Sequence, residues 1–222
     1  MKRAFDIVAA AALLVALSPL MVLIACVMRL SSPGPIIYRG WRIGRNGYPF
    51  RIIKFRTMTQ AASGREITIS DDPRVTKLGR LLRAAKLDEL PQLLNVLTGE
   101  MSLVGPRPEA PHYVARYTPA QREVLAVRPG ITGPSQVLFR HEERLLRGPD
   151  PEQLYLSRVM PAKLAIDLDY ARTHTLLGDM RILARTLVAC ALPGRRPAAL
   201  PAPPDPQAAT RGLGEHASQQ GA

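Results

Sequence analysis

The chain has 222 residues, enough for one domain with a real core plus extensions, and its 30 lysines and arginines against 18 aspartates and glutamates leave a net charge of +12. Such a balance calls for anionic partners: nucleic acid, a lipid surface or phosphorylated substrates. Two cysteines, Cys26 and Cys190, both in apolar surroundings, exclude a disulfide-stapled scaffold and are compatible with a reducing, cytosolic setting.

The excess charge is concentrated. Nine basic residues and one acid, Asp6, lie between Met1 and Met58, and five basic residues without an acid lie between Pro73 and Lys86. Both segments border the most apolar parts of the chain, which suits a membrane surface better than a nucleic acid. Met1-Lys2-Arg3 leads into Ile7 to Met28, a 22-residue run with no charge. As a straight helix it would measure about 33 Å, enough for a bilayer core of about 30 Å. Ser18-Pro19 stands in the middle of the run, where proline removes a backbone hydrogen bond and biases Ser18 away from helical angles. Basic residues flank both ends, Lys2 and Arg3 before, Arg29, Arg39, Arg42 and Arg45 after, and both ends therefore ask for the cytoplasmic face. A helix, break, helix hairpin dipping into one leaflet meets that demand, with the Ser18 hydroxyl bonding backbone groups that the proline frees; a spanning helix with a proline kink is the alternative that the residues leave open. A cleaved signal peptide fits less well, because the run is long and no small-residue cleavage site follows it.

Ile36 to Ile43 and Phe50 to Phe55 read as short strands joined through Asn46-Gly47, a strong hairpin signal. The hairpin carries Arg39, Arg42, Arg45, Arg51, Lys54 and Arg56, and most of them read as a solvated strand face. Residues 61–70 are small and polar and read as a loop. Asp72 fits a helix N-cap and Pro73 the first helical position. From there Arg74, Lys77, Arg80, Arg83 and Lys86 recur every third residue among Val75, Leu78, Leu81, Leu82 and Ala85, the pattern of a basic amphipathic helix on a headgroup surface or against a core. Arg83 lies closest before the next feature and can point at whatever that feature binds.

That feature runs from Lys86 to Glu109. Asp88 and Glu89 precede Pro91, which a helix tolerates in its first turn; Leu90, Leu93, Leu94 and Leu97 follow at helical spacing until Gly99 stops the run. An acidic pair at a helix start is most often a cap facing water. The sharper reading is a phosphate held beside two carboxylates, one able to attack phosphorus and the other able to hold a divalent cation. Downstream, Val104-Gly105-Pro106-Arg107-Pro108 is stiff and fixes Arg107, whose planar fork suits phosphate oxygens. Arg128 to Pro134 is a second glycine- and proline-rich loop, open to either turn chemistry or close approach to a ligand. Pro119 to Val127 reads as a short helix, and Pro151 to Arg172 as a longer one with Asp167, Asp169 and Tyr170 near its end. Leu176 to Leu192 is an apolar helix too short for a second span. From Pro193 on, proline, alanine, glycine and glutamine dominate, the composition of a disordered tail. Walker loops, dinucleotide fingerprints and Cys/His metal spacings are all missing from the sequence.

Six ordered motifs, Lys2-Arg3-Ala4-Phe5-Asp6, Ser18-Pro19, Ser32-Pro33-Gly34-Pro35, Lys54-Phe55-Arg56-Thr57-Met58, the Lys86 to Glu109 stretch and Pro129-Gly130-Ile131-Thr132-Gly133, make the chain resemble the bacterial sugar transferases, the monotopic phosphoglycosyl transferases, from about Lys2 to Leu192. It is similar to the small members that consist of the catalytic domain alone. The resemblance implies an α+β fold in which an N-terminal re-entrant membrane helix broken at Ser18 and Pro19 (residues 1–30) precedes a catalytic domain of a small β-hairpin and amphipathic helices on the membrane surface (31–192), with a disordered tail (193–222). It implies transfer of a phospho-sugar from a UDP-sugar to undecaprenyl phosphate, releasing UMP, at the cytoplasmic face of the bacterial inner membrane. By analogy Asp88 is the nucleophile and Glu89 its partner at Mg²⁺; Arg83 and Arg107 bind phosphate, and Asp167 and Tyr170, which match an Asp-x-x-Tyr pattern of the family, are secondary candidates for substrate binding. Expected partners are the UDP-sugar, undecaprenyl phosphate and anionic lipids; a homo-oligomer is compatible, and nucleic acid is not expected, with one tryptophan and no reader motif. Departures from the family pattern lie at Ala85-Lys86, Pro134-Ser135 and Arg140-His141-Glu142-Glu143, the last two bearing on substrate preference. A non-catalytic membrane scaffold or regulator of glycan assembly is the alternative function.

Overall fold

The computed structural model describes residues 1–59, 67–69, 72–146 and 149–191. The expected tail lies outside these residues, as does most of the 61–70 loop. The architecture is α+β: helices around two small two-stranded sheets, with one long apolar helix at the N-terminus.

That first helix, α1, spans Lys2–Ser31 with Pro19 inside it. The expected pair of helices separated by a break is one helix along the backbone. The reason lies in the residue before the proline. Pro19 cannot donate to the carbonyl four residues back, Val15, and the Ser18 hydroxyl bonds that same oxygen at 2.8 Å, so the one lost hydrogen bond is replaced. Both ends of α1 are fastened to the same body. Near its start Lys2 pairs with Asp179 and donates to the Val104 carbonyl at 3.1 Å; Arg3 donates to the Val96 and Leu97 carbonyls at 2.7 and 3.1 Å; the buried Asp6 carboxylate accepts from Ser102 Oγ at 2.9 Å and Leu103 N–H at 3.2 Å. Near its end Ile24 and Met28 pack with Phe55 and Leu82. Between these fastenings Val15, Val22 and Leu23 remain 76%, 63% and 59% exposed, an apolar band without protein cover.

The hairpin forms as its turn chemistry requires: β1 (Ile37–Ile43) pairs antiparallel with β2 (Pro49–Phe55), and Asn46 and Gly47 take the left-handed conformation with φ of 58° and 80°. α2 spans Lys77–Ala84, starting later than Asp72-Pro73 predicts. Asp72 turns its carboxylate onto its own neighbourhood instead, accepting from Arg74 N–H at 3.0 Å and pairing with the Arg74 guanidinium at 2.7 Å. Val75 then bridges to Met58, and Thr76 takes the cap, accepting from Gly79 N–H at 2.9 Å. A second sheet, unannounced in the sequence, pairs β3 (Ser102–Val104) in parallel with β4 (Gly130–Thr132).

Three short helices, α4 (Pro111–Val114), α5 (Pro119–Arg122) and α6 (Pro134–Leu138), connect these parts, and Thr118 and Gln121 close a capping box on α5. The long helix expected from Pro151 is continuous but not uniform: α7 (Pro151–Leu154) passes through a π-turn at Tyr155–Val159 into α8 (Met160–Thr173), where Pro161 lacks the donor that a regular turn needs. α9 follows at Leu176–Ala191. The main core gathers Tyr113, Tyr117, Phe139, Tyr155, Val159 and Leu164; a second packs the N-terminal half of α1, through Ala10, against Phe50, Ile52, Val96 and Met101.

Candidate active site

The site is built where α2 ends. Ala85 N–H bonds the Leu81 carbonyl at 3.1 Å and Lys86 N–H the Arg83 carbonyl at 3.1 Å; Lys86 itself adopts φ 58°, ψ 19°, the left-handed conformation that closes helices. A lysine there costs about 1 kcal/mol relative to glycine. The reversal at Lys86 leaves Arg83 on one side of the turn and the acids on the other. Leu87–Gln92 forms a 3-10 segment holding Pro91, and α3 (Leu93–Thr98) continues it until Gly99, at φ 91°, ends the helix. The acidic pair thus sits at a helical start as the sequence predicts, with a tighter first turn. It does not face water: Asp88 is 4% exposed and Glu89 9%.

Cations ring the pair. Arg107 donates to Glu89 Oε1 from both terminal nitrogens, each at 3.3 Å, and to Gln136 Oε1 at 3.1 Å. Arg83 donates to Thr68 Oγ1 at 2.9 Å, and its charge acts on Asp88. Lys54 is a candidate site residue that the sequence reading, with most of the hairpin's cations on a solvated face, does not single out. In β2 alternate residues share a face, and Lys54 shares its face with the buried Phe50 and Ile52, a signal already present in the period of the strand. Burial lowers its ammonium to about 8, opposed chiefly by the attraction of Asp88. Its Nζ also lies 5.2 Å from the centre of the Tyr38 ring.

The two carboxylates are driven apart electrostatically. Burial raises the proton affinity of Asp88, and the Glu89 charge raises it further, against Lys54, Lys86 and Arg83. For Glu89, burial acts in the same direction but is outweighed by Arg107, Lys86 and Lys54 together, so it stays ionised below the usual glutamate range. Burial works against the Arg107 charge too, yet Glu89 holds it above the ordinary arginine range. Asp88 Oδ1 is buried and has no hydrogen-bond partner among the described residues. A desolvated carboxylate oxygen with no donor on it is free to bond to an electrophile, and the surrounding cations suit a phosphate-bearing one. No three His, Cys, Asp or Glu side chains converge among the described residues. Two adjacent carboxylates are nevertheless a donor set that Mg²⁺ accepts when substrate phosphates and water complete its octahedron.

Asp167 and Tyr170 are placed elsewhere. Asp167, 3% exposed, accepts from Ser135 Oγ at 2.8 Å and, with Arg107, Lys163 and Tyr117, lines a small cavity behind the Arg107 loop. The Tyr170 hydroxyl lies 2.7 Å from Asp179 Oδ1 and 3.0 Å from the Val104 carbonyl, in the cluster that secures Lys2. The two glycine- and proline-rich loops approach each other closely: Gly105 N–H bonds the Thr132 carbonyl at 2.9 Å and Gly130 N–H the Pro106 carbonyl at 2.8 Å, and a Cβ on Gly130 would fall 2.1 Å from Gly105 N.

Fold and site define an α+β domain tied to one long apolar helix, with a buried acidic pair among lysine and arginine, the equipment of a protein that handles phosphate groups. The sequence model of the bacterial sugar transferases matches residues 1–192, and the chain belongs to that family. It is 44% identical over 199 residues to the UDP-glucose:undecaprenyl-phosphate glucose-1-phosphate transferase of Caulobacter vibrioides, covering 84% of this chain and 68% of the relative. The protein of the same name from Escherichia coli is 40% identical, with 84% of this chain but only 39% of the relative covered. The exopolysaccharide production protein PSS of Rhizobium leguminosarum bv. phaseoli is 38% identical, with 85% and 94% covered.

Proposed function

We propose that this chain is a phosphoglycosyl transferase that moves a sugar 1-phosphate from a UDP-sugar to undecaprenyl phosphate at the cytoplasmic face of the inner membrane, an early step in assembling exopolysaccharide, capsule, O-antigen or glycoprotein glycan. The observation that carries this reading is the unpartnered, buried Asp88 Oδ1 beside an ionised Glu89 and within the field of Lys54, Arg83 and Arg107. Relatives named for UDP-glucose make that sugar nucleotide the first donor to test.

In the proposed reaction an Asp88 oxygen attacks the phosphorus that carries the sugar. The bond from that phosphorus to the bridging oxygen breaks, UMP departs with the electron pair, and Asp88 holds the sugar phosphate as an acyl phosphate. An oxygen of undecaprenyl phosphate then attacks the same phosphorus, the bond to Asp88 breaks, and the carboxylate is restored. No net proton transfer is needed, in keeping with a site that holds carboxylates and cations. Arg83 and Arg107 grip the phosphate oxygens, Lys54 faces the charge that gathers beside Asp88, Asp167 backs the Arg107 loop, and Tyr170 holds the clasp at the start of α1. Asp88 and Glu89 are the residues that would hold Mg²⁺, which supplies charge neutralisation on the diphosphate oxygens. Splitting the transfer into two steps lets a soluble donor and a lipid acceptor use one site in turn.

A membrane-embedded α1 that enters and leaves by the same face is supported by its two fastenings. A straight spanning helix would carry Lys2 and Met28 to opposite faces, whereas both touch one domain. Purified protein supplied with UDP-glucose, undecaprenyl phosphate and Mg²⁺ should release UMP and show ping-pong kinetics, and Asp88→Asn should reduce turnover by about a thousandfold or more. An Asp88→Asn variant as active as wild type would refute the mechanism, and wild type inert with every UDP-sugar would leave the scaffold reading in its place.

A further inference from the structure

The Arg107 guanidinium meets Glu89 in an unusual way. Both terminal nitrogens reach one oxygen, Oε1, at 3.3 Å, where an arginine free to settle on a carboxylate adopts a parallel fork on two oxygens at about 2.8 Å. The shorter contact is the one to Gln136 Oε1, at 3.1 Å. Gln136 in turn faces the backbone: its Nε2 lies 3.4 Å from the Gly130 carbonyl and 3.5 Å from that of Gly105. These contacts are long, but they fix the sense of the amide, with oxygen toward the guanidinium and nitrogen toward the carbonyls. The platform under it is stiff. Gly105 and Gly130 abut with no room for a Cβ on either, and a Cβ on Gly133 would fall 2.2 Å from the Gly105 oxygen. The helix that bears Gln136 is pinned next door, where the fully buried Ser135 donates to Asp167 at 2.8 Å.

We propose that Gln136 is a positioning residue that holds the Arg107 guanidinium partly off Glu89, so that its remaining N–H groups point at an anion. A neutral acceptor can do this where a second carboxylate could not, because it restrains the guanidinium without neutralising it. Its effect on catalysis rests on the phosphoglycosyl transferase reading; its effect on Arg107 does not. Ser135 belongs to the same support, since it ties this helix to Asp167 behind the Arg107 loop.

A double-mutant cycle between Gln136→Leu and Arg107→Met, read as kcat and KM for UDP-glucose, tests the catalytic side. Gln136→Leu alone should lower kcat/KM about tenfold, the order expected for one lost hydrogen bond to a charged group. In the Arg107→Met background it should add almost nothing, because the residue acts through Arg107. Losses that multiply in the double variant, or wild-type kinetics in Gln136→Leu, overturn the proposal. Gln136→Met, unbranched and without an amide, replaces leucine in the cycle if Gln136→Leu shows no cooperative thermal transition. The structural side is read independently in ¹⁵N spectra of arginine side chains, with the Arg107 signals assigned by their loss in Arg107→Met. Wild type should show slowed guanidinium rotation and Gln136→Leu averaged signals, whereas unchanged signals overturn the proposal. A wild type without transferase activity but with this spectral change refutes the functional reading and keeps the positioning role.

Discussion

Asp88 and Glu89 are neighbours with opposite environments, and their difference is set by what reaches each oxygen. Arg107 sits on Glu89 and nothing sits on Asp88 Oδ1 among the described residues. Lys54 exerts the largest compensating attraction on Asp88, so Lys54→Met should lower kcat about a hundredfold while leaving the fold intact, measured as UMP release beside a thermal melt. Asp167 offers a test in stability. Burial lifts its carboxyl to about 6 from an ordinary 3.8, with the Ser135 hydrogen bond and Lys163 working against the rise. The folded protein therefore binds this proton more tightly than the unfolded chain does, and the associated stability is present below about 4 and lost as pH rises through about 6. Acidification from pH 7 to 5 should thus stabilise wild type relative to Asp167→Asn, by an amount on the order of 1 kcal/mol, in parallel denaturant titrations. Equal pH responses of the two proteins would show that Asp167 does not titrate in this window.

At the scale of elements, one strand end serves three parts of the molecule. Lys54 faces the acids, Phe55 is buried against Met28 of α1, and Arg56 grips the end of α1 through the Pro33 carbonyl at 2.6 Å and Ser32 Oγ at 2.7 Å. Strand alternation explains how consecutive residues serve opposite faces, and Asn46-Gly47 fixes the register that makes this possible. The start of α2 was less legible. Asp72-Pro73 is a good helix start by local chemistry, yet the Met58–Val75 bridge competes for the backbone and Thr76 provides a later cap. Thr76→Ala should therefore cost about 1 kcal/mol, whereas Asp72→Ala should act through the Arg74 pair and not through the helix; chemical denaturation of both, with helix content followed by circular dichroism, separates the two. β3 and β4 are three residues each, too short for any periodic signal, and their pairing depends on two loops meeting. Gly130→Ala should disrupt that meeting and lose both stability and activity, since a Cβ there has backbone and not a flexible side chain to displace.

Across the whole molecule, the apolar helix and the site form one mechanical unit. Lys2, Arg3 and Asp6 clip the first turns of α1 to α9, α3 and β3, and Tyr170 shares Asp179 with Lys2. The same α3 and β3 stand immediately after the acidic pair and immediately before the Arg107 loop. Lys2→Met leaves the buried Asp179 without its cation and should destabilise the protein by about 3 kcal/mol, visible as a lowered melting midpoint in detergent. Reporters fused at the two chain ends should both register cytoplasmic, and a periplasmic N-terminus would favour the spanning helix.

The sequence alone determined what depends on neighbours along the chain: the apolar run with its Ser18-Pro19 centre, the Asn46-Gly47 hairpin, the acidic pair at a helical start ended by Gly99, and, through its ordered motifs, membership of the sugar transferase family. Arg83 and Arg107 were legible as cations close to Asp88 in sequence or held by stiff loops. Tertiary structure decided the rest. It buried the two carboxylates, brought Lys54 from a distant hairpin and Gln136 from a later helix, continued α1 through its proline, and turned Tyr170 toward the α1 clasp. These outcomes turn on desolvation and on groups far apart in the chain, and neither is written in the spacing of residues.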